Sequence, residues 1–506
     1  MKAAFDVAII GAGFAGLTAA ARLKKRTQTS FVIFERANQV GGTWRQNSYP
    51  GCACDIPSHL YSLSFAMNPN WSRMYSTQPE ILAYTNQIVD QYDLNAHIRY
   101  NTDIVRVVFS DAHWHLTDRT GNQTTARTVI LAVGPLNYPS IPKLPGLQTF
   151  AGTTFHSSNW NTHYELTGKR VAVVGTGASA IQFIPKIAPL VKQLTIFQRT
   201  APYVSPRRDR AISAVEQHLF RKLPIAQKAY RSLIYWYNEL QGMAFLGNEG
   251  FNKIGTKRAL KHLNQSIKDP ELRQKVTPTY KLGCKRVLIS DDYYPALNRN
   301  NVDLITAGIT EVTANSIIDA DGHEHSVDAI IFGTGFVVGG AIANLNITGR
   351  YGQNLFEHWL TKGAEAYYGI AMSGYPNMLF MVGPNTGLGH NSILHMIESQ
   401  VNYALSYLDL LEKKPADAYL DVKPEVQQQY NSQIQQKMQN TVWASGCQSY
   451  YLDSKGRNTT IWPGLSSTYR KATQCINPAD YELVCRNRPK PEAVFQPDLI
   501  QPGSNH

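Results

Sequence analysis

The chain is short of cysteine, of long apolar runs and of acids, and each shortage closes off a class of function. Six cysteines are spread over 506 residues, too few and too scattered for a disulfide framework, a usage that fits a reducing cytoplasm. No two of them form CxxC, and Cys52 and Cys54 in GCACD make only a CxC, unlike the redox centre of a thioredoxin-type enzyme. No stretch of about 18 uninterrupted apolar residues occurs, so no membrane span is expected. The glycine spacing in VAIIGAGFAGLTAAA argues for a strand and a helix in place of a signal-peptide core. There is no short repeat array. Lys and Arg number 49 against 37 Asp and Glu, a net charge of +12. A basic solvated surface accounts for that excess, phosphate-bearing cofactors can share in it, and nucleic acid is not required.

What is present is an ordinary globular composition, 43% hydrophobic and 17% charged, long enough for two or three domains. Residues 5–35 read as a buried strand FDVAII, the turn GAGFAG, a helix LTAAARLKKR and a second strand SFVIFE. Gly11, Gly13 and Gly16 form GxGxxG. The first allows a tight turn, the second lets backbone approach a pyrophosphate, and the third lets helix and strand pack closely. Glu35, ending the second strand, suits ribose hydroxyls. The unit recurs in RVAVVGTGASAIQFIPKIAPLVKQLTIFQR, where Gly175, Gly177 and Ala180 form GxGxxA and Arg199 stands where Glu35 stood. A carboxylate repels a 2′-phosphate and a guanidinium binds it. The first unit is therefore expected to hold FAD and the second NADPH. The alternative for Arg199 is a solvated cation at a strand end.

Three further stretches narrow the reading: GGTWRQNSYPGCACD at 41–55, FAGTTFHSSNW at 150–160 and GCKRVLISDDYY at 283–294. Together they resemble the class B flavin monooxygenases and, within them, the type I Baeyer–Villiger monooxygenases. The family's signature F-x-G-x-x-x-H-x-x-x-W is met by Phe150, Gly152, His156 and Trp160, although Asn161 replaces the Pro or Asp that should follow. The second signature is met by Gly41, Gly42, Trp44, Tyr49, Pro50, Gly51 and Asp55.

The resemblance implies an α/β fold of two Rossmann-like dinucleotide-binding domains, for FAD and NADPH, with a helical insertion in the second. It also implies that the nicotinamide reduces the flavin, and that oxygen then adds at C4a to give a peroxyflavin. That species attacks a ketone and leaves an ester or lactone. Arg286 would stabilise the negative charge, with Asp55 as its partner, while Lys285 joins Arg199 and Thr200 at the 2′-phosphate. Gly42, Thr43, Trp44, Asp55, Tyr61 and Asn391 complete the candidate cofactor-binding set. His156 would couple domain motion to cofactor binding without being catalytic. No metal and no obligate protein partner is implied. Oxygenation of sulfur or nitrogen, or hydroxylation of long-chain substrates, on the same scaffold is the alternative activity.

The flavin domain is expected from 1–145 and 336–506, and the nicotinamide domain from 150–208 and 282–335. A helical insertion at 209–281 carries Tyr230, Leu233, Ile234, Tyr237 and Leu240 on one face, for which core packing is expected and a membrane-associated helix is the alternative. Trp443, Tyr451 and Trp462, in or beside the stretch 444–464, could line a pocket or simply pack. The Pro-rich stretch from 486 on reads as an extended tail.

Overall fold

The structure is a computed structural model that describes residues 3–485, so the tail from 486 on lies outside the described residues. The apolar runs become the centres of two parallel arrays, as expected of strands covered on both faces. Phe5–Ile10 pairs in parallel with Phe31–Phe34 on one side and Gln123–Leu131 on the other, Val7 lying opposite Phe31 and Thr128. Ile104–Ser110 and His113–Asp118 extend this sheet as an antiparallel hairpin. Two distant segments, Ile347–Thr348 and Met378–Phe380, join the same sheet, so the chain returns to it after building the second.

The second sheet has the strand order Val302–Ile305, Gln193–Phe197, Arg170–Val174, Ala329–Phe332, Thr153–His156, all parallel. The F-x-G-x-x-x-H-x-x-x-W signature thus supplies an edge strand, with His156 opposite Phe332. Gly152 permits that entry, because a Cβ there would stand 2.5 Å from the Asp328 carbonyl oxygen.

Residues 209–281 are helical, as expected, over Ala214–Lys222, Pro224–Gly242, Glu249–Ser266 and Pro270–Lys275. The face expected to pack inward does so only at Tyr230 and Ile234. Ile234 is buried, but Leu233, Tyr237 and Leu240 are exposed. The inward face instead carries polar groups that bond neighbouring loops, such as the Gln227 amide donating to the Asn68 carbonyl at 2.7 Å. A second departure is covalent: Cys284 is joined to Cys447, 163 residues away, while Cys52, Cys54, Cys475 and Cys485 are free. Separation in sequence hides such a pair.

Candidate active site

A cavity of about 1150 Å³ is lined by residues that directly follow strands of both sheets, among them Gly11, Ala132, Gly175 and Gly333. This is the place where open parallel sheets bind ligands. Gly11 has φ +104°, and a Cβ there would stand 2.6 Å from the Ala132 carbonyl oxygen. Gly16 lies beneath the loop, where a Cβ would collide with the Gly11 carbonyl at 1.9 Å. In the second unit Gly175 has φ +100°, with the Gly333 carbonyl oxygen 2.7 Å from where its Cβ would be. Gly177 also lines the cavity, while Ala180 is fully buried and packs against Gly333. Both loops therefore present backbone without side-chain bulk, which fits two dinucleotides.

The two units differ in sign, as their sequences suggest. Glu35 is buried at the cavity wall, accepting from the Ala12 N–H at 2.8 Å and the Ala37 N–H at 2.9 Å. Each oxygen keeps a lone pair for a hydroxyl. Arg199, Thr200 and Lys285 also line the cavity. The Lys285 ammonium lies 5.1 Å over the Tyr280 ring. Burial lowers its pKa and the neighbouring Arg199 cation lowers it further. Two like charges held together suit a dianion, which a 2′-phosphate is.

The turn Gly41–Gly42 leads into the short helix Thr43–Gln46. Gly42 touches the first glycine loop, a Cβ on it standing 3.0 Å from the Gly13 Cα. Thr43 lines the cavity, and the Trp44 indole donates to the Tyr61 hydroxyl at 3.0 Å. Burial pushes the Tyr61 phenol far up, so it stays neutral.

The following YPGCACD stretch docks onto the helix Ala180–Ile187 of the second unit. Tyr49 donates to the Gln182 side-chain oxygen at 2.9 Å, and the Gln182 amide donates to the Ala53 carbonyl at 2.9 Å. Gly51 is needed there, with φ +82° and the Gln182 carbonyl 2.6 Å from a Cβ. Burial pushes the Cys52 thiol up to about 11 and the Cys54 thiol higher still. These buried, free thiols serve packing.

That docking delivers Asp55 to Arg286. The Arg286 guanidinium donates to the Asp55 carboxylate in an ion pair, and about a third of each side chain stays exposed, 33% and 29%. Both line the cavity. Asp55 raises the Arg286 pKa further and burial opposes it, so the cation is permanent. The nearest strand is short, Leu288–Ile289, and Lys285 and Arg286 precede it. Cys284, tied to Cys447, holds this turn beside the loop of Tyr450 and Tyr451, which also line the cavity. Trp443 and Trp462 are buried in side clusters of the core.

The fingerprint residues support the site from behind. His156 is buried, accepts at Nδ1 from the Ser158 N–H at 3.1 Å and meets Phe336 edge-on at 5.5 Å. Burial lowers its pKa against a backbone hydrogen bond at Gly335, so it is a neutral link to the cavity-lining loop 333–336. Phe150 packs with the cluster beneath the second sheet, and Trp160 sits against Phe155 and Phe183 at 5.2 and 5.3 Å. Asn161 accepts from the His163 N–H at 3.1 Å, an Asx-type bond that the family's Asp could equally make.

Behind the cavity-lining Asn391 lies a group that carries no sequence motif, Glu239. Ser392 caps the helix Ile393–Glu412, accepting from the Leu394 N–H. The preceding Asn391 lines the cavity and donates to Glu239 at 2.7 Å. Glu239 also accepts from the Ser466 and Ser467 hydroxyls at 2.7 and 2.9 Å and lies 3.2 Å from His390 Nε2. Burial alone would raise its pKa, but these donors hold it well below the usual carboxylate range. A lone acid on a helix carries no motif, so no sequence signal marked it.

A family model described as pyridine nucleotide-disulphide oxidoreductase matches residues 8–230. A Baeyer-Villiger monooxygenase of Pseudomonas aeruginosa is 47% identical over 481 residues, covering 94% of this chain and 91% of that protein. Among solved structures, cyclohexanone monooxygenase from Rhodococcus sp. Phi1 bound to NADP+ superposes with a TM-score of 0.84 at 28% identity, covering 96% of this chain and all of that one. The OTEMO complex with FAD and NADP gives the same TM-score, 0.84, at 27% identity, with coverage of 96% and 100%.

Proposed function

The chain belongs to the Baeyer–Villiger monooxygenases, and from that premise we propose how its own residues carry the reaction. It is an FAD-dependent, NADPH-consuming enzyme that inserts one oxygen atom from O2 beside a ketone carbonyl, giving an ester or lactone. The observation that carries the residue assignment is the Asp55–Arg286 pair, open to a cavity that both glycine loops line. Bound FAD supplies electron transfer from NADPH and activation of O2.

The remaining work falls to the chain. Gly11, Gly13 and Glu35 seat the FAD pyrophosphate and ribose, with Trp44 and Tyr61 closing the pocket and Asn391 at its far wall. Gly175 and Gly177 seat the NADPH pyrophosphate, and Arg199, Thr200 and Lys285 take the 2′-phosphate. Arg286 stabilises the charge that develops on the ketone oxygen, as a fixed guanidinium does at any working pH. Asp55 keeps that cation tolerably buried and aimed. Gly16, Ala180, Phe150, Gly152, His156 and Trp160 position these groups without touching the reacting atoms.

We assign the flavin domain to about 1–145 and 336–506 and the nicotinamide domain to about 150–208 and 282–335, with 209–281 as the insertion. No helix among the described residues is long and apolar enough to cross a membrane. The demand for NADPH supports a cytoplasmic site of action, with no nucleic acid and no obligate protein partner.

The test is product analysis with purified holoenzyme, NADPH and isotope-labelled O2 on linear, cyclic and aryl ketones plus one sulfide. Ester or lactone carrying one labelled oxygen supports the assignment. Sulfoxide alone would move the chain to heteroatom oxygenation.

A further inference from the structure

The helix Pro224–Gly242 carries apolar groups on both faces. Its inner face buries Ile234 and Tyr235 together with the polar Gln227, Asn238 and Glu239. Its outer face carries Ile225, Leu233, Trp236, Tyr237 and Leu240, which are 76, 68, 60, 53 and 54% exposed. At 3.6 residues per turn these five fall within an arc of about 120° over a length of about 22 Å. Scattered exposed apolar residues need no explanation, but a continuous stripe of this size does. The helix before it, Ala214–Lys222, packs alongside and adds Val215, 79% exposed.

The charge around the stripe has one sign. Between 217 and 248 the exposed charges are Arg221, Lys222 and Lys228, and the only acid is Glu239, buried and bonded on the inner face. Across 214–275 eleven Lys and Arg stand against five Asp and Glu, which supplies half of the chain's net charge of +12. An apolar stripe bearing Trp and Tyr, flanked by cations and free of exposed acid, is the chemistry of an interfacial helix on an anionic bilayer. A second copy of the chain fits less well, because a two-fold contact would set Arg221, Lys222 and Lys228 against themselves.

We propose that the outer face of Pro224–Gly242 docks the enzyme on an anionic lipid surface, without spanning it. The inner face of the same helix holds the cavity-lining Asn391 through Glu239, so the helix that docks also braces one residue of the cavity wall.

The test is co-sedimentation of the holoenzyme with phosphatidylglycerol–phosphatidylethanolamine vesicles, against pure phosphatidylcholine vesicles, at low and high salt. Binding to the anionic vesicles is expected to be about ten-fold stronger and to fall with salt. Leu233→Glu and Trp236→Glu should each lower it about ten-fold while FAD content and turnover of a soluble ketone stay unchanged. Lys222→Glu with Lys228→Glu should remove the salt dependence. Failure to sediment with anionic vesicles overturns the proposal. So does a dimer in light scattering that Trp236→Glu converts to monomer without any vesicle binding, which would give the face to a second copy.

Discussion

Lys285 and Arg286 are sequence neighbours with different surroundings, one beside Arg199 and the other paired with Asp55. Replacing Arg199 or Lys285 by Ala should raise the KM for NADPH about 10- to 100-fold and barely move that for NADH, since a charge-assisted contact to the 2′-phosphate is lost. Steady-state kinetics with both coenzymes check this, and equal losses would contradict it. Glu239 gives a pH prediction. Its pKa is depressed in the folded state, so its contribution is full above the ordinary glutamate value of 4.5 and is lost as pH falls through the folded value. Glu239→Gln should therefore cost about 1–3 kcal/mol at pH 7. The gap in Tm from the wild type should narrow as the pH drops below 4.5. A gap that stays constant down to acid pH would mean the carboxylate charge does not matter. Arg286 and Asp55 were legible in the sequence because each sits in a patterned stretch. Glu239 was not, because its partners come from two loops more than 150 residues away.

At the scale of elements, the proposed assignment gives each glycine loop its own cofactor. Gly11→Ala and Gly175→Ala each force a side chain into positive φ against a carbonyl, at a cost of at least about 1–2 kcal/mol. The first should empty the enzyme of FAD, read by absorbance. The second should keep FAD and weaken NADPH about ten-fold or more, read by titration. If both variants lose FAD, the division between the loops is wrong. The strand–glycine–helix units were readable because buried parallel strands are continuous apolar runs. Apolar periodicity over Pro224–Gly242 gave the helix, but a period marks a face without saying which way it turns. The bridge from Cys284 to Cys447 ties the Arg286 turn to the loop of Tyr450 and Tyr451. Reducing it should lower stability by about 2–4 kcal/mol and raise the KM for ketone while leaving flavin reduction unchanged. A KM indifferent to dithiothreitol would make the bridge purely structural.

Over the whole molecule, the two sheets share one cavity, and a stretch of the first unit, residues 49–55, is pinned by Gln182 of the second. That contact brings Asp55 to Arg286: the stretches 41–55 and 283–294 were both visible in the sequence, but their meeting is a property of the fold. On the proposed reading the reaction has two halves, reduction of the flavin and oxygenation of the ketone, and Arg286 serves the second. The most direct measurement is to compare wild type and Arg286→Ala, first by anaerobic stopped-flow reduction with NADPH and then by product analysis in air. The expected result is flavin reduction within about ten-fold of the wild type, with ester or lactone formation reduced about 100-fold or more. Ketone oxygenation that survives in the variant would contradict the role of Arg286 and, with it, the reading of the Asp55–Arg286 pair as the centre of the site.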